Sequence, residues 1–88
     1  MKVNLYAVYD SASAVYDGPI PGLSDGQMIR KFSDMALNAE SEIGKHPEDF
    51  TLFRVGSWCD SSAELVDIVT EKLINGVEVV AKSREIVN

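Results

Sequence analysis

Residues 2–9, KVNLYAVY, alternate between two faces, with Val3, Leu5, Ala7 and Tyr9 on one and Lys2, Asn4, Tyr6 and Val8 on the other. Period-two alternation predicts a β-strand, here with one wholly apolar face and one mixed face. The alternation stops in residues 10–23, DSASAVYDGPIPGL. Asp17-Gly18-Pro19 and Pro21-Gly22 are turn signals, so the stretch reads as a long connection. Val15, Tyr16 and Ile20 are too apolar for a freely solvated loop. The connection is therefore expected to be pinned by Tyr16 and Ile20, with a partner-binding loop as the alternative.

The period then becomes helical. Met28, Phe32, Met35, Ala36 and Ala39 fall at i, i+4, i+7, i+8 and i+11, and Ile29 and Leu37 widen the stripe. Arg30, Lys31, Ser33, Asp34 and Asn38 face outward. Ser24 and Gln27 have capping-box spacing, and Leu23 and Met28 have that of a hydrophobic staple. Asp25 suits the positive helix end. Asn38 and Gly44 are both left-handed cap candidates, so the helix ends between them. Its two methionines are expected to fill core space, with an adaptable binding surface as the alternative reading.

The stretch Lys45–Trp58, KHPEDFTLFRVGSW, organises the remainder. Pro47 fixes its own φ, biases His46 towards extended geometry and starts a type I turn through Glu48 and Asp49. Thr51 to Trp58 is expected as the central strand, with Phe53 and Val55 on one face and Leu52, Arg54 and Trp58 on the other. Gly56 marks a bulge or a close backbone approach. Cys59–Ala63 reads as a hairpin loop and Glu64–Val69 as the return strand. Thr70 is placed to cap one helical turn over Glu71–Asn75, halted by Gly76. Val77, Val79 and Ala81 alternate like a strand, and the last residues are expected to fray or dock on a partner. The sum is one α+β domain over residues 1–88, in the order β-α-β-β, with one helix on an antiparallel sheet and a short C-terminal extension. The uncovered sheet face is expected to carry Tyr6, Val8, Leu52 and Trp58. An apolar patch of that size marks an interface, and Val77 and Val79 are added as oligomer contacts.

The composition keeps this a thin-cored fold. A chain of 88 residues buries roughly 60–65% of its unfolded surface. The net charge of −6, from 8 basic and 14 acidic side chains, opposes a protein whose main task is phosphate binding. A local basic patch would have to be gathered from Lys2, Arg30, Lys31, Lys45 and Arg54. Cys59 is the only cysteine, so an internal disulfide and a cysteine zinc site are excluded, and a reducing compartment fits. No apolar run approaches the ~18 residues of a membrane span, and the first residues lack an apolar signal core. The expectation is a cytoplasmic protein without a membrane segment.

Few residues carry catalytic chemistry. His46 is the only histidine, and a Cys59–His46 pair lacks a third group to orient it. The DGPIPG run does not match a phosphate-binding loop, and its prolines remove amides that such a loop needs. The acidic corner of Glu40, Glu42, Glu48 and Asp49 lacks the spacing of a calcium loop. No enzyme, metal or cofactor is expected. Single-strand binders stack bases on sheet aromatics flanked by cations, and Tyr6 and Trp58 with Lys2 and Arg54 would form such a platform. The competing reading buries the same aromatics between copies of the chain.

Three stretches, LYAVYDSASAVY, MIRKFSDMALN and KHPEDFTLFRVGSWCDSSAEL, follow in an order that resembles the small nonstructural protein of gokushoviruses. These are single-stranded-DNA bacteriophages of the microvirus group. The run that starts at His46-Pro47-Glu48-Asp49 and continues through Gly56 to Asp60 is the specific part. The resemblance covers most of residues 3–68 and departs in Gly18–Gly22 and in the C-terminal dozen residues. It implies a phage protein of the host cytoplasm, absent from the mature virion. Its expected role is to assist viral DNA replication, or the switch to single-strand production and packaging. The resemblance implies no catalytic residues. The expectation is a non-enzymatic homo-oligomer that contacts single-stranded DNA weakly or recruits a viral or host replication protein. The alternative is a protein-interaction module with no nucleic-acid contact.

Overall fold

The computed structural model describes residues 1–86; the expectation for the last residues lies in part outside them. The order is β1 (Lys2–Asp10), β2 (Val15–Gly22), α1 (Asp25–Ala36), α2 (Glu42–Lys45), a 3-10 turn (Pro47–Asp49), β3 (Phe50–Cys59), β4 (Glu64–Val66), β5 (Glu71–Asn75) and α3 (Gly76–Ile86). The strands form one antiparallel sheet in the order β2-β1-β3-β4, with β5 also paired to β3. β3 is central, as expected. β1 runs along one side of it, while β4 pairs with Ser57–Cys59 and β5 with Thr51–Arg54 on the other. β4 and β5 therefore lie end to end on one edge.

The α+β class stands, but three segments differ from the expected order. Residues 15–22 are an edge strand hairpinned to β1, rather than a connection. Val15, Tyr16 and Ile20 are strand formers, and Pro19 and Pro21 are tolerated because an edge strand has one set of amides facing solvent. Residues 71–75 are a strand, and residues 76–86 are a helix. The signal for that helix is Asn75-x-x-Glu78. The Glu78 N–H donates to Asn75 Oδ1 at 2.8 Å and the Asn75 N–H to Glu78 Oε1 at 3.1 Å, a reciprocal capping box that outweighs the alternation of Val77 and Val79. The return strand is shorter than expected and stops at Val66.

α1 begins as its sequence predicts, with Ser24 Oγ accepting the Gln27 N–H at 3.1 Å. The Gln27 side chain accepts the Leu23 N–H at 3.0 Å. The helix ends at Ala36, capped by Leu37, just before the expected window. Met28, Phe32 and Ala36 are its buried residues, whereas Met35 and Leu37 are exposed. The core joins them to Tyr6, Ile43, Leu52, Ile74 and Val79, with Val8, Ile29, Phe50 and Leu73 packed around. Burial of each large side chain stabilises by about 1.5–3 kcal/mol.

This core overturns the expected faces. Tyr6 is 0% and Leu52 1% exposed, and both lie under the helices. The sheet face the helices cover is the mixed face of β1. Its polar members tolerate this because each has a partner. Lys2 Nζ meets Asp67 at 2.7 Å, the Tyr6 hydroxyl donates to Asp25 at 2.8 Å, and Asn4 donates to the Tyr6 hydroxyl at 3.2 Å. The wholly apolar face of β1 is the one left uncovered.

The His46–Asp49 turn anchors α3. The Asp49 N–H donates to the His46 carbonyl at 3.0 Å, as expected for a proline-started turn. Gly76, the first residue of α3, lies so close that a Cβ there would overlap the Pro47 carbonyl oxygen.

Candidate functional site

The uncovered face is built by register. Directly opposed residues of antiparallel strands point to the same side. Val3 opposes Trp58, Leu5 opposes Pro21 and Gly56, Ala7 opposes Phe53, Tyr9 opposes Tyr16, and Trp58 opposes Leu65. These residues share one side, and none belongs to the core beneath the helices. Ala7 is 4% exposed although no helix covers it, because its neighbours close over it.

Aromatic rings dominate this face. Tyr9 and Tyr16 lie with ring centroids 4.5 Å apart, and Tyr16 meets Phe53 edge-on at 5.4 Å. Tyr16 on β2 reaches Phe53 on β3 across β1 because β1 offers only Ala7 between them. Such pairs are worth about 0.5–1.5 kcal/mol beyond area burial and hold the rings in a fixed array. Trp58 at 38% and Leu65 at 60% exposure extend the array towards the Cys59–Ala63 turn.

Trp58 reaches this face through a bulge. Leu5 pairs with Gly56 and Tyr6 with Arg54, so Val55 is an extra residue in β3. The inserted residue reverses the alternation beyond it. Gly56 takes φ +153°, in a region side chains rarely adopt, and a Cβ there would lie 3.3 Å from the Val66 carbonyl oxygen. Both expectations for Gly56, bulge and close approach, are met.

The expected platform of Lys2, Tyr6, Arg54 and Trp58 is consequently divided. Trp58 is on the open face. Tyr6 is sealed in the core, where burial first, then its bond to Asp25, raises its phenol pKa. Arg54 lies on the helix side, bound to Asp25 at 2.6 Å and to Glu71. Lys2 is held by Asp67, and that hydrogen bond raises its pKa. The expected oligomer set divides too. Tyr6, Leu52 and Val79 are interior, Val8 packs against the core, and Trp58 and Val77 are exposed. The members missed were Tyr9, Tyr16, Phe53 and Leu65. Their signal was the apolar alternation of β1, read as the helix-facing side.

The cation opposite Phe53 on the open face is engaged. Lys72, opposite Phe53, pairs with Glu78 at 2.7 Å, and the hydrogen bond from Lys72 lowers the Glu78 pKa. His46 and Cys59 sit at opposite ends of β3, separated by its ten residues, about 30 Å. They cannot act as a nucleophile–base pair. His46, Glu48 and Asp49 are gathered by the proline turn, with ligand-capable atoms within 4.8 Å of one another, on a largely solvated corner.

With this geometry in hand, comparison with known families is decisive at one level. A family model described as phage ORF5 protein matches residues 3–79. The chain belongs to the phage ORF5 protein family. The match runs from β1 into the first turn of α3 and so spans every strand of the sheet in this phage protein. Comparisons with curated proteins and with solved structures returned no significant match. Among the described residues no helix is long and apolar enough to cross a membrane.

Proposed function

We propose that this phage protein is a non-enzymatic interaction module that self-associates through its open sheet face and serves viral DNA replication or packaging. The resemblance to the gokushovirus nonstructural protein supports that setting, with action in the host cytoplasm and outside the mature virion. The observation that carries the reading is an aromatic sheet face whose opposed cation, Lys72, is bound to Glu78, while Lys2 and Arg54 are held by carboxylates on the other side of the sheet.

A second copy suits this face by size and charge. β1 has nine residues, about 30 Å, and four strand positions span about 19 Å. That is about 600 Å² in plane before side-chain relief, close to the ~800 Å² per partner of a standard interface. Two such faces stack as a sandwich with strands about 30° apart. Apolar contact needs no charge complement, whereas the −6 net charge repels a polyanion.

Sedimentation equilibrium tests this. Wild type should be dimeric at micromolar concentration. Trp58→Asp and Leu65→Glu should each weaken the dimer by more than about thirtyfold, the effect of losing an interface hot spot of ~2 kcal/mol. A monomer in the wild type sinks the reading. The exposed rings favour one other reading, base stacking on single-stranded DNA. Low-salt oligonucleotide binding that falls steeply with salt and is lost in Trp58→Ala would put it first.

A further inference from the structure

A cleft of about 470 Å³ opens on the other side of the sheet, between the β1–β2 hairpin and the α1–α2 corner. It arises from the topology. The hairpin extends past the helices, leaving β2 uncovered on its inner side, with every residue from Val15 to Pro21 exposed. Val8, Ile20, Met35, Ile43 and Phe50 form its walls, and its size falls within the ~300–1,000 Å³ range of ligand sites. Met35 and Ile20 are 42% and 45% exposed, apolar side chains left at an open mouth.

The polar groups of the lining are nearly all acidic: Asp10, Asp17 and Glu42, with Ser41 beside them. The Asp10 carboxylate is occupied by the hairpin, accepting from Ala12 N–H at 3.0 Å and from the Ser13 hydroxyl at 3.1 Å. Among the described residues, Asp17 and Glu42 form no ion pair, in contrast to Asp25, Asp60, Asp67, Glu71 and Glu78. Apolar walls under unpaired carboxylates reject nucleotides and other anions, and they complement a cation carried on an apolar body.

We propose that this cleft is a binding site, separate from the sheet face, for a basic amphipathic peptide segment of a partner protein. The apolar side chains of the segment enter between Ile20, Met35 and Phe50, and its Lys or Arg groups meet Asp17 and Glu42. The site lies on the helix side of the sheet, so it does not depend on self-association.

The probe is a short, fluorescently labelled synthetic peptide of leucine and lysine, with a leucine–glutamate peptide as its counterpart, titrated into the full chain. The lysine peptide should bind with a Kd that weakens as salt rises, and the glutamate peptide should not bind. The double variant Asp17→Asn, Glu42→Gln should weaken binding about tenfold, the combined effect expected of two partly desolvated charge contacts. The charge-matched variant Asp60→Asn, Glu64→Gln, at the end of β3 remote from Phe50 and the cleft, should change it less than about twofold. Methyl NMR shifts on addition of peptide should concentrate at Val8, Ile20 and Ile43. Equal losses in the two double variants, shifts concentrated on the open sheet face, or no binding at low salt would each overturn the proposal.

Discussion

Cys59 ends β3 at a turn whose serines face its sulfur, with Ser61 Oγ 3.3 Å away. Hydrogen bonds from the Ser61 hydroxyl, then the Ser62 hydroxyl, then their amides, lower the thiol pKa to about 6. The thiolate is the reactive form, so alkylation by iodoacetamide should rise with a midpoint near pH 6 and be flat above neutrality. In urea the midpoint should return to about 8.5, and Ser61→Ala should move it upward in the folded protein. A rate that keeps climbing through pH 9 in the native protein would show that the serines do not hold the thiolate. Ala63 closes the same turn at φ 63°, as Ala14 closes the other hairpin at φ 58°. A left-handed alanine costs about 1–2 kcal/mol, partly offset in a glycine by its greater unfolded freedom. Ala63→Gly should therefore stabilise by about 0.5–1 kcal/mol, read as a higher urea midpoint at unchanged slope.

At the scale of elements, the sequence carried the sheet's centre but not its two sides. The strand after the proline turn, the capped α1 and the Gly56 bulge were all legible, because each depends on local chemistry. The effect of the bulge on Trp58 depends on which residue is inserted, and the sequence alone leaves that open. One inserted residue reverses the alternation, and Trp58 then joins Phe53 instead of Leu52. The choice of covered face was also unreadable from alternation alone. The wholly apolar side of β1 was the natural candidate for the helices, yet Tyr6, Arg54 and Asn4 find partners on α1, β5 and β3 as well as in each other. β2 was missed because glycines and prolines that signal a turn are equally at home on an edge strand. Docking of α3 rests on the close approach of Gly76 to the Pro47 turn. Gly76→Ala should force the two apart and expose Val79, costing roughly 1–3 kcal/mol. A urea midpoint equal to wild type would show that α3 does not depend on this contact.

At the scale of the whole molecule, a single sheet separates two surfaces of opposite character. One is a ring-lined apolar face beside which Lys72 is paired with Glu78; the other holds an apolar cleft rimmed by carboxylates. They have different physical signatures, because apolar burial is insensitive to moderate salt while exposed charge contacts are screened within about 10 Å at 0.1 M. They also share no side chains, and sites without shared partners couple weakly. Trp58→Asp should therefore abolish the dimer and leave the affinity for the lysine peptide within about twofold of wild type. Asp17→Asn with Glu42→Gln should do the reverse, weakening the peptide while sedimentation still reports the dimer. A variant carrying all three substitutions should show both defects at their separate sizes. Raising salt should release the peptide before it affects the dimer. Loss of peptide binding in Trp58→Asp at unchanged thermal stability would mean that the cleft is completed by the second copy, and the two surfaces would then be one site.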